Sequence, residues 1–215
     1  MFEGAEIKLQ DARTAIRRLR AMTQPLLVTN IQIKSGPSGV SGELVGTDDP
    51  VAFSEAFSSC VAQVRSVGDA VLKDKDANKL SAFRKWRETK KDECKNDDLM
   101  KFINDRRNDD LHEGDGCLSF TMHPYKFSSE DVGTALPPGA VLRVSGTGAY
   151  WIAPATPDDR HPCAIPDGAV FTVAIIDAPT VHKGKPLTGS DPVTICATAE
   201  RYYTELLREA RRLFE

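Results

Sequence analysis

The chain has 215 residues, of which 40% are hydrophobic and 27% charged, with a formal net charge of -3. That length and apolar share suffice for one large domain with a sizeable core, and they exclude a low-complexity chain. The charge excludes a global field that would draw the protein to nucleic acid, so a phosphate-bearing partner needs positive charge gathered locally or two subunits brought together.

Glu3 to about Ala21 reads as a helix, with Ile7, Ala12, Ile16 and Leu19 on one stripe and Arg13, Arg17 and Arg20 on another. Pro25 breaks it. Residues 26–33 switch to β-type side chains and predict a strand, and the Gly- and Ser-rich residues 35–42 predict a loop. Asp48 or Asp49 then caps a second helix that begins at Pro50 and carries Ala52, Phe53, Ala56, Phe57, Cys60, Val64, Val67, Val71 and Leu72 at helical spacing. A third helix is predicted from Lys79 to about Lys95. A fourth, capped by Asn96-Asp97-Asp98, buries Leu99, Met100, Phe102 and Ile103 and stops at Gly114. Three consecutive helices with short connections imply an antiparallel bundle.

After Gly116 the texture is β. Residues 118–122, 140–145, 149–152 and 169–176 read as strands separated by Pro- and Gly-containing turns, and the strand near Leu27 is a candidate to join them. Asp191 to Glu215 returns to helix, with Ile195, Ala199, Tyr202, Tyr203, Leu206, Leu207 and Leu213 apolar. The expected fold class is α+β, mainly α: an antiparallel helical bundle with a small antiparallel sheet inserted before a C-terminal helix. The expected organisation is a single domain over 1–215. It has a helical core at 48–116 and a β-rich insertion at 117–188, with flanking helices at 1–22 and 190–215 packed on the bundle.

No apolar run approaches the roughly 20 residues that cross a bilayer, and the first residues show no basic segment followed by an apolar one, so neither membrane nor secretion is expected. Cys60, Cys94, Cys117, Cys163 and Cys196 are odd in number and lack CxxC spacing. They suit free thiols in a reducing cytoplasm, the expected location.

The chemistry concentrates in Arg107-Asn108-Asp109-Asp110-Leu111-His112. Asn108 and His112 are four apart and share a helical face, with Arg107 flanking them. A guanidinium is a permanent, forked phosphate binder, and an imidazole exchanges protons near neutral pH. At a helix C-terminus the dipole favours the protonated imidazole by roughly 0.3–1 kcal/mol. A solvated helix end is the bland alternative. Arg65 is a candidate for the same cleft, with a surface ion pair as the stronger reading. Arg84, Lys85, Arg87, Lys90 and Lys91 surround Trp86 but alternate with Glu88, Asp92 and Glu93, which favours a solvated face with Trp86 in the core. Asp158-Asp159-Arg160-His161-Pro162-Cys163 holds ligand-type residues without the spacing of a metal site. No metal and no cofactor are expected.

An arginine, a polar residue and a histidine closing a bundle helix resemble the HEPN superfamily of nucleotide-binding and RNase proteins. The preceding Ala56-Phe57-Ser58-Ser59-Cys60-Val61-Ala62-Gln63-Val64-Arg65-Ser66-Val67, together with Phe83-Arg84-Lys85-Trp86-Arg87 and Leu99-Met100-Lys101-Phe102, is similar to the rest of that bundle. The resemblance covers about Asp48 to Gly116. It implies a metal-independent endoribonuclease acting on RNA, a homodimer whose cleft takes Arg107 and His112 from both chains, and Arg106 at its rim. Asn108 would orient the histidine or the phosphate. A toxin or phage-defence role follows, with an antitoxin or regulatory protein as candidate partner. In one toxin branch a modified tyrosine follows the histidine after one residue; here that position is Gly114. The rival reading is a non-catalytic RNA-binding, nucleotide-binding or protein-interaction module.

Overall fold

The computed structural model describes the backbone of residues 1–25, 45–112, 117–123, 141–145, 148–153, 156–162 and 170–215, and the side chains of residues 1–23, 46–106, 117–120 and 171–215. The predicted strand at 26–33, the loop at 35–42 and the helix stop at Gly114 lie outside the described residues.

Five helices carry the fold: α1 (Glu3–Ala21), α2 (Pro50–Leu72), α3 (Ser81–Lys95), α4 (Asp98–His112) and α5 (Pro192–Phe214). Two of them start from the same device. Asp49 accepts the amide of Ala52 at 2.9 Å, and Asp191 accepts those of Val193 and Thr194 at 3.0 and 2.9 Å. Proline follows each cap, where its missing N–H costs nothing.

Helix α2 lies at the centre. Ten of its residues are buried, and α1, α4 and α5 pack on it. The buried face of α1 is Phe2, Ala5, Leu9, Ala12, Ile16 and Leu19, spaced by threes and fours. Ile7, expected on that stripe, is 64% exposed, because the stripe begins at Phe2 and its phase passes Ile7 by. On α5 the buried side runs from Val193 to Ala210, and Leu213 beyond it is 50% exposed. Helix α3, which starts two residues later than expected after a 3-10 turn at Ala77–Lys79, is the outer member. Its Phe83 joins Phe2, Trp86 and Phe214 in an aromatic cluster with centroids 5.2–5.9 Å apart, tying the start of α1 to the end of α5.

The sheet is wholly antiparallel. Its strands are β1 (Gln24–Pro25), β2 (Val45–Thr47), β3 (Leu118–His123), β4 (Val141–Ser145), β5 (Gly148–Ala153), β6 (Thr156–Pro162) and β7 (Val170–Ile175), in the order β1-β2-β7-β3-β4-β5-β6. It therefore extends beyond 117–188, because β1 and β2 pair onto β7 from the N-terminal part of the chain. In β3 and β7 the register sets Leu118 against Ile175 and Phe120 against Val173. All four are buried on one face, while Ala174 faces outward, the alternation of a half-covered sheet. Phe120 meets Phe53 of α2 edge-on at 6.5 Å. A separate hairpin, β8 (Val181–His182) and β9 (Lys185–Pro186), precedes α5. The fold is thus α+β and mainly α. Among the described residues no helix is long and apolar enough to cross a membrane.

Helices α2 and α5 approach closely at Gly68. A methyl group there would lie 2.3 Å from Cε1 and 2.7 Å from Cζ of Tyr203, a ring that is itself buried against Tyr202. Gly→Ala inside a helix ordinarily gains about 1 kcal/mol. Here overpacking reverses the sign, and Gly68→Ala is expected to destabilise the protein by about 1–3 kcal/mol in urea unfolding. Tyr203→Phe, which retains the clashing ring atoms, does not rescue it. An unchanged midpoint in Gly68→Ala would show that Tyr203 swings aside freely.

Candidate functional site

Helix α4 carries the motif of interest. Asp97 caps it, accepting the amide of Met100 at 3.0 Å through its side chain and that of Lys101 at 2.8 Å through its carbonyl. Leu99, Met100 and Ile103 are buried and Phe102 half-buried, so the first turns are anchored in the bundle as the apolar spacing predicts. The backbone continues as one helix through Arg107, Asn108 and His112. Asn108 and His112 therefore stand one turn apart on one face. The side chains of residues 107–112 lie outside the described residues.

Arg106 is half-buried, with its guanidinium carbon 5.9 Å from the ring centroid of Phe102, a cation–π contact one turn back. Arg65 donates from Nη1 to Asp69 at 2.7 Å, four residues on, and Lys73 reaches the same carboxylate at 3.3 Å. Its buried Nε has no hydrogen-bond partner among the described residues. The basic set on α3 is largely paired: Arg87 and Lys91 with Glu88, and Lys90 with Glu93 and Glu209. Trp86 is partly buried and donates its indole N–H to Glu209 at 2.8 Å. Those pairs leave Arg84 and Lys85 as the members of the set without a carboxylate partner among the described residues, Arg84 donating to the carbonyl of Asn78 at 3.0 Å.

Sequence reasoning missed the polar node at the start of α4. Besides capping, Asp97 accepts the amide of Lys183 at 2.7 Å, and Nδ1 of His182 lies 3.0 and 3.1 Å from its two oxygens. An ionised carboxylate only accepts, so Nδ1 carries the hydrogen. The His182 ring meets Tyr202 edge-on, and Lys183 Nζ sits 4.9 Å over the Tyr202 ring and pairs with Glu205 at 2.9 Å. This node pins the β8–β9 hairpin between α4 and α5. The signal for it was weak, because Asp97 and His182 are 85 residues apart and Asp97 already had a local explanation as part of the helix cap.

Next to it, Cys94 Sγ and Tyr202 Oη are 3.3 Å apart. Burial pushes both the thiol and the phenol above their ordinary values, so both are neutral and neither is a nucleophile at neutral pH. The Cys196 thiol is likewise raised, first by its contact with Cys60 and then by burial. Cys60, Cys94, Cys117 and Cys196 are buried, while Cys163 lies outside the described residues. The Asp158–Pro162 stretch is strand β6 rather than a loop. Among the described residues no three His, Cys, Asp or Glu side chains converge as for a metal ion.

Burial works to raise the Asp97 carboxyl, but the Lys183 amide, His182 and the Met100 amide outweigh it and hold the group below the ordinary aspartate value. A depressed folded value contributes stability that is fully present above the unfolded value of about 3.9 and lost as pH falls through the folded one. Asp97→Asn is therefore expected to lower stability at pH 7 and to lose less on going from neutral to acid, read as urea midpoints at pH 7 and pH 3. Identical pH dependence in the two proteins would remove Asp97 from the acid response. Compared with known protein families, curated proteins and solved structures, the chain matches none.

Proposed function

We propose that the protein is a metal-independent endoribonuclease of the HEPN type. The observation that supports this reading is that residues 98–112 form one helix within a helical bundle, with Arg107, Asn108 and His112 in its last turns. In the reaction, one His112 takes the proton of a ribose 2′-hydroxyl and the 2′-oxygen attacks the adjacent phosphorus. The bond to the 5′-oxygen breaks, and that oxygen takes a proton from the partner subunit's His112. Arg107 from each chain stabilises the charge on the non-bridging oxygens, and Asn108 orients the imidazole or the phosphate. The products are a 2′,3′-cyclic phosphate and a free 5′-hydroxyl. DNA lacks the attacking hydroxyl and is not cut. Dimerisation joins two Arg107 side chains at one phosphate, which offsets the chain's net negative charge. Arg106 borders the site.

Labelled RNA incubated with the protein in EDTA tests the reading. Cleavage is expected to persist without metal, to fall by roughly 10²–10⁴-fold in His112→Ala, and by roughly 10²–10³-fold in Arg107→Ala. RNA bound but uncut by the wild-type protein would replace the nuclease with a binding module. A requirement for metal would sink the mechanism even if RNA were cut.

A further inference from the structure

A groove of about 770 Å³ runs between α1 and the first half of α5, with Thr188 of the segment that leads into α5 also lining it. Arg13, Arg17 and Arg20 line one wall and Arg201 the other, over a floor that includes Ile16 and Ala197. Its volume lies in the range of small-ligand sites. The helical rise separates Arg13 from Arg17 by about 6 Å and Arg17 from Arg20 by about 4.5 Å, so the wall presents a row of guanidinium groups about 10 Å long.

What distinguishes this row is its missing counter-charge. Among the described residues Glu200 is the one acid lining the groove, and Arg13 holds it through Nε at 2.8 Å. Arg17 donates to the hydroxyl of Thr14 at 3.1 Å, and Arg201 to that of Thr198 at 3.1 Å. Among the described residues, Arg17, Arg20 and Arg201 form no ion pair with a carboxylate. Asp191, at the start of α5, is held by the amides of Val193 and Thr194. With Arg13 paired, the like charges of Arg17, Arg20 and Arg201 around one concave space repel one another, and a bound anion relieves that repulsion. The chain as a whole is negative, so the groove is a local reversal of sign rather than part of a basic surface.

The lining also limits the ligand. Among the described residues it includes no aromatic side chain on which a base could stack, and it offers the hydroxyls of Thr188 and Thr194 as further hydrogen-bond partners. Guanidinium forks match phosphate oxygens bidentately. We propose that the α1–α5 groove binds a chain of closely spaced phosphates through Arg17, Arg20 and Arg201, with Arg13 at its edge. Recognition is of the phosphates, independent of base sequence. The chain of phosphates is supplied either by a single nucleic-acid strand or by free oligophosphate. The site stands apart from the α4 motif and does not depend on RNA cleavage.

The test uses the full-length protein and two probes, a fluorescent 2′-O-methyl oligouridylate of about twelve nucleotides, which is long enough to span such a groove and cannot be cleaved, and tripolyphosphate. Binding of the strand is read by anisotropy across a salt series, and binding of tripolyphosphate by calorimetry. If the strand is the ligand, its affinity falls with salt with a log–log slope of about -2 for three phosphate contacts. Each of Arg17→Gln, Arg20→Gln and Arg201→Gln weakens binding roughly threefold to tenfold and lowers that slope by about 0.7. If free oligophosphate is the ligand, tripolyphosphate binds and the same substitutions weaken it, while the strand binds poorly. Lys79→Gln, distant in the sequence and paired with Asp76, changes neither. His112→Ala leaves groove binding intact, which separates this proposal from the nuclease reading. Binding of neither probe, or binding that survives the triple arginine variant with its salt slope unchanged, overturns the proposal.

Discussion

Helix α2 has too much apolar surface to be left in water, and the rest of the fold follows from covering it. Phe53, Phe57, Val61, Val64, Val67 and Val71 point in more than one direction around its axis and are all buried. Each such side chain contributes roughly 1.5–3 kcal/mol when removed from solvent, so no single neighbour satisfies the helix. Helices α1 and α5 close two sides, α4 a third, and the β3–β7 face reaches it through Phe120. Gly68 sets how closely α5 approaches, since its missing side chain makes room for the Tyr203 ring. That approach also holds Tyr202 beside Cys94 and under His182, so the packing of α2 and the polar node at the start of α4 are mechanically linked.

Charge is organised on the same frame. Much of the described surface pairs its cations at close range, as in Lys79–Asp76, Lys90–Glu93 and Lys183–Glu205. Exposed pairs of this kind contribute little stability, but they neutralise the field locally. Between α1 and α5 that neutralisation stops, and arginines outnumber acids along one groove. The local gathering of positive charge that a net-negative chain needs in order to hold phosphate is met on this face of the bundle. The helix-end motif on α4 rests on a different feature, a continuous helix anchored by Leu99, Met100 and Ile103 in its first turns. The two features involve different helices and different side chains, and the chemistry proposed for each is different.

The helices were legible because their signals are local. Asp49 and Asp191 each precede a proline and an apolar period, and each caps as that pattern requires. Strands β3 and β7 were legible from alternation and from flanking turns. Strand β6 was not, because Pro157 and Pro162 argue against a ladder position; it lies at the sheet edge, where proline is tolerated. Strands β1 and β2 have two and three residues, too short to carry a period of their own. Ile7 was misassigned because it was grouped with Ala12, Ile16 and Leu19 although a spacing of five residues from Ala12 sets it about 140° around the axis, off the stripe that begins at Phe2. Of the candidate site, the Arg13–Arg17–Arg20 stripe was visible as a row of charges. That Arg201 faces it across a groove was not.

The amino-acid order by itself determined where α1, α2, α4 and α5 begin, which faces of α1, α2 and α5 are apolar, the bundle-plus-sheet class, and the placing of an arginine and a histidine in the last turns of α4. These are consequences of hydrogen bonding and periodicity within a few residues. Only the tertiary structure decided that Asp97 meets His182 across 85 positions, that Trp86 donates to Glu209 across 123, that Gly68 yields its space to Tyr203, and that arginines of the first and last helices share one cavity. Such contacts depend on how elements distant in sequence turn to bury α2, and no local pattern encodes that rotation.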